Sequence, residues 1–277
     1  YTMNRHQDVL NVYTVNPRST VAQLLVREKG DKYVKEEAIA NISVYNNSFL
    51  LPSDRDGYMH LYLYDMGGKQ IRKIGDGNYD ITQVYGYDEQ TGDVFYQAAV
   101  PTAHDRQVFV NHKNGKTECL TKQEGWNNAI FSGDLKYFIN TWSNATTPYT
   151  FTLCDARGKV ISTLLDNKQL VAKYKQEGLS EPEFFSFTTG DGVKLDGWMV
   201  KPANFSPSKK YPVIMFQYSG PGSQQVVNSW ALARWGKVHS STGTWPKKAL
   251  SLYAWMGAEQ AAEVRLSRSP STCNWAN

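Results

Sequence analysis

HLYLYDMGGKQI, residues 60–71, runs as a short alternating strand to Asp65, reverses over Met66-Gly67-Gly68-Lys69 and starts a second strand. The same design recurs as QVFVNHKNGKTE, residues 107–118, and as TFTLCDARGKVI, residues 150–161. The three turn lysines, Lys69, Lys116 and Lys159, are 47 and 43 residues apart. Each is preceded by a glycine, as a tight hairpin needing a positive φ requires.

Working outward, VYTVNPRSTVAQLLV (residues 12–26) reads as another hairpin of this kind. ISVYNNSFLLPSDRDG, TQVYGYDEQTGDVFYQAA and NAIFSGDLKYFINTW supply further strand pairs broken at Asp/Gly turns. A period in the forties with four short antiparallel strands per unit is that of β-propeller blades, which bury their faces against one another. One β-sandwich with regular hairpins is the competing architecture. Three to four blades fit into residues 1–160, too few to close a ring, so the chain is expected to begin in mid-propeller.

LLDNKQLVAKYKQEG then breaks the strand pattern and predicts a short helix or linker. PEFFSFTTGDGVKLDGWMVKP reads as a hairpin turning at Asp191-Gly192. After a Lys- and Pro-rich loop, VIMFQYSG is apolar on both faces, as expected of a strand covered on both sides. The fold class is therefore mainly β: a partial propeller over residues 1–160, then a linker and the first strands of an α/β domain over 161–230. Tyr218 falls at the end of the apolar strand, and ligands bind at the carboxyl ends of strands in such sheets.

With 277 residues, 41% apolar and 13% aromatic, the chain is globular. The formal +4 charge resides in residues 231–277, where six Lys or Arg face two Glu. The rest is balanced, which argues against a nucleic-acid surface. No apolar run reaches membrane-span length. Cys119, Cys154 and Cys273 have neither disulfide-framework nor zinc spacing. Asp54, Asp56 and Gly57 suit a β-turn better than a calcium loop, and Gly220-Pro221-Gly222 lacks the third glycine of a dinucleotide loop. No metal or organic cofactor is expected.

KKYPVIMFQYSGPGSQQV, with SDRDGYMHLYLYD and TTGDGVKLDGWMVKP, resembles the dipeptidyl peptidase IV branch of the prolyl oligopeptidase family of serine peptidases, bacterial type, over most of residues 1–230. The resemblance implies an eight-bladed propeller capping an α/β-hydrolase domain. A Ser-Asp-His triad there releases N-terminal dipeptides whose second residue is Pro or Ala. It also implies a periplasmic or secreted location, no membrane span, and full-length members that are often dimeric. Tyr218 matches the tyrosine that donates its hydroxyl to the oxyanion hole. Such a donor, aimed in advance at a developing negative charge, lowers a barrier by about 3 kcal/mol.

Other parts of the family pattern are missing. No Gly-x-Ser-x-Gly elbow occurs, and none of His6, His60, His104, His112 or His239 stands in the family's terminal His context. Glu36-Glu37 does not match the paired glutamates that hold the substrate's amino group; adjacent acids at a strand edge are expected instead.

Residues 231–277 hold four of the eight Trp and no Ile, Phe or Asp. This is a poor core composition, and the stretch is expected to be disordered and out of frame. Trp255-Met256-Gly257 must be encoded TGG ATG GGN, and a two-letter shift reads Asp-Gly there. Leu252-Tyr253-Ala254 then permits Val-Cys-Val, and residues 257–264 permit Arg-Gly-Thr-Gly-Gly-Arg-Gly, the family's continuation. The chain is thus expected to be a fragment of a serine exopeptidase, inactive by itself. A noncatalytic propeller that binds a peptide or protein is the alternative.

Overall fold

The structure is a computed structural model that describes residues 1–176, 180–202, 204–217, 223–230 and 251–255. Strands dominate. The first sheet contains β1 (Thr2–Met3), β2 (Val9–Val15) and β3 (Ala22–Lys29). A five-residue helix, α1 (Glu36–Ala40), precedes the second sheet, β4 (Ser43–Val44), β5 (Ser48–Ser53), β6 (His60–Asp65) and β7 (Gln70–Ile74). The third contains β8 (Ile81–Asp88), β9 (Asp93–Ala98), β10 (Gln107–Asn111) and β11 (Thr117–Cys119). The fourth contains β12 (Trp126–Phe131), β13 (Tyr137–Ser143), β14 (Thr150–Asp155) and β15 (Val160–Leu165).

In all four sheets neighbouring strands are neighbours in sequence, the meander of a propeller blade. The repeated turns also share their bonding. Asp65, His112 and Asp155 each donate N–H to the Lys carbonyl four residues on, at 2.8–3.0 Å. Gly68, Gly115 and Gly158 donate back across the turn and carry φ of +85°, +87° and +78°. Asp65 and Asp155 add a carboxylate oxygen that accepts two turn N–H groups each. The Ser132–Tyr137 turn departs from the glycine rule: Leu135, not Gly133, takes the positive φ of 57°. Asp134 accepts from the Ser132 hydroxyl there at 2.6 Å.

Two compact units emerge: residues 1–98 with 109–118, and residues 99–108 with the described part of 119–263. The core of the first interleaves alternate residues of β2, β3, β5 and β6 with α1. Leu10, Val12, Val26, Phe49, Leu51, Tyr62 and Tyr64 are buried, with Phe49 stacked on Tyr64 at 5.2 Å. Pro52 fits within β5 because β4 pairs only with Phe49 and Leu50, so the missing N–H leaves no ladder position open. Glu36 and Glu37 open α1 rather than edging a strand, which corrects the sequence expectation.

In the second unit the fourth sheet runs to Leu165, five residues past the expected boundary. α2 (Lys168–Gln176) follows, with Lys168 N–H bonded to the Asp166 carboxylate at 3.1 Å. β16 (Pro182–Thr188) and β17 (Lys194–Val200) form the expected hairpin. β18 (Val213–Gln217) and β19 (Ser251–Trp255) complete a mixed sheet of order β16-β17-β19-β18. β17 is antiparallel to β19, and β18 is parallel to it. The expectation of disorder over 231–277 therefore fails for residues 251–255, which pair on both sides. Residues 231–250 and 256–277 lie outside the described residues.

Candidate functional site

β18 ends at Gln217, the last described residue before Tyr218 in the sequence. Tyr218 itself, with 219–222, lies outside the described residues. The chain is described again from Ser223 to Trp230; residues 223–229 are neither helix nor strand, Val226 is completely buried, and Ser229 and Trp230 are nearly so. Burying irregular backbone requires partners for its polar groups. Here they come from distant parts of the same unit.

Asn228 does most of this. Its N–H donates to His104 O at 2.9 Å, its Nδ2 donates to Asp105 Oδ1 at 2.8 Å, and its Oδ1 accepts from Ala145 N–H at 3.0 Å. Trp230 N–H donates to Ser143 Oγ at 3.1 Å, and Trp198 Nε1 donates to Gln225 O at 3.3 Å. Apolar contacts finish the seat: Val226 packs with Trp198 and Ala145, and Trp230 meets Tyr174 of α2 edge-on at 5.3 Å.

Gln224 is held by a buried arginine. Arg106 Nη2 donates to Gln224 Oε1 at 2.5 Å, while Nη1 donates to the Ala103 and Asp105 carbonyls at 2.9 and 2.7 Å. The guanidinium lies 4.4 Å from the centre of the Trp126 ring. Gln224 Nε2 returns to Ala103 O at 2.8 Å, which closes a ring of Arg106, Gln224 and Ala103. A planar guanidinium that donates in several directions and stacks on an aromatic face cannot be replaced by an ammonium without loss.

One residue along this loop, His104 Nε2 lies 3.0 Å from Asp196 Oδ2 of β17. The contact is close enough for an ion pair but is not aligned as a hydrogen bond, and the ring lies flat against Phe184, 5.4 Å away and 5° from parallel. Burial pushes the Asp196 carboxyl up, but the Ser186 hydroxyl and His104 outweigh it and leave the group below the usual carboxylate range.

The other unit has a polar cavity of about 90 Å³ lined by residues 28–35 and 53–55. Glu28 pairs there with Arg55 and accepts from Ser53 Oγ at 3.0 Å, and Arg55 also reaches Tyr64 Oη at 2.9 Å. The Asp54–Gly57 segment is a turn closed by a 2.8 Å bond, and Asp56 is taken up by Tyr62 Oη and Lys73. Cys119, largely exposed, and Cys154, buried, are free thiols, and partial desolvation moves the pKa of each above the ordinary thiol range. Cys273 lies outside the described residues.

The sequence profile of the "Dipeptidyl peptidase IV (DPP IV) N-terminal region" matches residues 1–149, more than half of the chain. The chain belongs to the dipeptidyl peptidase IV family. A crystal structure of Porphyromonas gingivalis dipeptidyl peptidase 4 is similar with a TM-score of 0.84 and 35% identity, over 92% of this chain and 35% of that one. Dipeptidyl peptidase 4 of Arthroderma otae is 30% identical over 64% of this chain and 24% of its own length. That of Trichophyton rubrum is 26% identical over 82% and 30%. The chain thus spans about a third or less of each relative. The four meandering sheets are propeller blades of this dipeptidyl peptidase IV-type chain. Among its described residues no helix is long and apolar enough to cross a membrane.

Sequence reasoning singled out Tyr218 and missed Arg106, Gln224, Asn228, His104 and Asp196. The only local signal was that Asp105 and Arg106 stand as an adjacent pair just before a strand otherwise rich in apolar residues.

Proposed function

We propose that this chain carries late propeller blades (residues 1–160) and the entry strands of the peptidase domain (161–230) of a serine exopeptidase that releases N-terminal dipeptides with Pro or Ala in second place. Tyr218 is its oxyanion-hole donor. The observation that carries this reading is the place of β18, the next strand in sequence after the β16–β17 hairpin and a member of the same sheet. In an α/β-hydrolase the loop after the third strand supplies a donor to the oxyanion. Tyr218 is the residue that follows β18 in the sequence.

The hydroxyl acts when the scissile carbonyl becomes tetrahedral and its oxygen takes up negative charge. A donor already aimed at that point stabilises the transition state more than the substrate. In an intact homologue, Tyr218→Phe at the matching position is expected to lower kcat about 100-fold, with KM changed by less than about threefold. Unchanged turnover would retire the assignment.

By itself the chain has no Gly-x-Ser-x-Gly turn to present a nucleophile, so it does not hydrolyse peptides. Release of a chromogenic amine from a Gly-Pro amide by the purified chain would overturn that statement. Residues 231–277 are read as out of frame, and resequencing the gene decides it. The intact enzyme is read as periplasmic or secreted, like the family it resembles.

A further inference from the structure

We propose that His60 is an acid-sensitive pin for the connection between the second and third sheets: neutral, it holds residues 75–80 in place, and a proton gained at Nδ1 releases them. His60 opens β6, is 2% exposed and pairs across the sheet with Ser53. Its Nε2 lies 3.1 Å from Gly77 O; a carbonyl only accepts, so Nε2 carries the ring's proton and donates it. Nδ1 is then a bare acceptor, buried and with no hydrogen-bond partner. A neutral ring tolerates that. A charged one would bury both a positive charge and an N–H that nothing accepts.

The connection leans on this ring. Gly75, at φ +89°, lies so close that a Cβ there would come within 2.7 Å of His60 Cδ2. Tyr79 meets the ring edge-on at 5.9 Å, and Tyr58 is tilted against it at 6.4 Å. The far end of the connection is tied to the residue beside the histidine: Met59 N–H donates to Asp80 Oδ1 at 2.6 Å, and Ile81 N–H donates to Met59 O at 2.7 Å. The charged groups facing the imidazole are Lys73 of β7, Asp56 of the Asp54–Gly57 turn and Asp80 of the connection. Burial opposes a proton on the ring most strongly and Lys73 adds to it. Gly77 O and the two carboxylates favour one but do not prevail, so the histidine titrates below its ordinary value.

The opened chain therefore binds the proton more tightly than the closed one. Closure is firmest above the free histidine value near 6.5 and weakens as pH falls below it. The test follows the whole chain by NMR, the His60 ring signal being identified by its loss in His60→Gln. The ring is expected to stay neutral to lower pH than a free histidine. Between pH 7.5 and 5, amide exchange over 75–81, corrected for the intrinsic rate at each pH, should rise about fivefold or more, while exchange in β13 and β14 changes by less than about twofold. His60→Gln, whose amide can still donate to Gly77 O but takes up no proton, flattens the rise. Asp80→Asn, which removes the other titrating group tied to the connection, keeps it.

A His60 ring that titrates at the free value, or exchange over 75–81 that does not respond to pH, would overturn the proposal. So would a rise that survives in His60→Gln or vanishes in Asp80→Asn. Should His60→Gln fail to fold, the unaltered chain decides, with the ring signal assigned through its own backbone amide: the rise must begin near the free value and level off where the His60 ring titrates, and a rise centred elsewhere overturns the proposal.

Discussion

The hairpin turns of the blades and the 223–230 segment are both made of irregular backbone, yet they are held in opposite ways. A blade turn satisfies itself. Asp65, Gly68 and Lys69 exchange their bonds within five residues, and the Asp155 turn repeats the arrangement. Residues 223–230 make two local side-chain bonds, Gln224 to Val226 O and Gln225 to Ser223 Oγ, but are held mainly from afar; Asn228 bonds to residues more than eighty positions away at 104, 105 and 145. The first kind of structure repeats in a sequence because its causes are neighbours. The second leaves no periodic trace.

The sharpest way to break this comparison is through the glycines, where an expected difference exists even among the self-contained turns. A Cβ at Gly68 would lie 2.3 Å from Leu25 O, and one at Gly158 would lie 2.3 Å from Leu120 O, while at Gly115 it would meet nothing. Gly68→Ala and Gly158→Ala therefore combine positive-φ strain with a backbone collision and should each cost about 3 kcal/mol or more. Gly115→Ala should cost only about 1 kcal/mol, from strain alone. Urea unfolding midpoints compare the three, and equal losses would mean that the turns do not lean on neighbouring backbone.

A middle-sized effect is expected at the long-range seat. Asn228→Ala strips partners from the Asp105 carboxylate and the Ala145 N–H and should cost about 2 kcal/mol. Amide exchange should rise over 223–230 but not in the β6–β7 turn, and protection lost equally at both places would mean that the two regions are not held independently.

The smallest effect concerns acid. The Asp196 carboxyl titrates below its ordinary value, so the carboxylate's contribution is fully present above the unfolded-state value near 4 and disappears as pH falls through the lower folded one. Asp196→Asn should flatten the pH dependence of hairpin stability below about pH 4, by less than about 1 kcal/mol. Exchange in β16 and β17, followed from pH 5 to pH 2, reads it; an unaltered slope would show that Ser186 and His104 do not hold the charge.

Much of the fold was legible because β structure writes its period directly into neighbouring residues. The 47- and 43-residue spacing of the turn lysines located three hairpins, and the hairpin turning at Gly192 was read from TTGDGV in the same way. The αL residue of the Ser132–Tyr137 turn was not legible, since leucine at positive φ runs against its own preference and is tolerated only because Asp134 and Ser132 brace the turn. Strand β19 was missed for a related reason. SLYAW lies in a composition unsuited to a core, and its pairing depends on the open edges that β17 and β18 present to it.

What the sequence by itself determined is the list of hairpins and the mainly β architecture, because strand alternation and turn chemistry act over two to five residues. Only the tertiary structure decided that Arg106 meets Gln224 across 118 positions, that His104 lies against Phe184 beside Asp196, and that an irregular stretch around Val226 is buried. Contacts of that reach follow from where the folded chain brings its loops, a property no short window of residues contains.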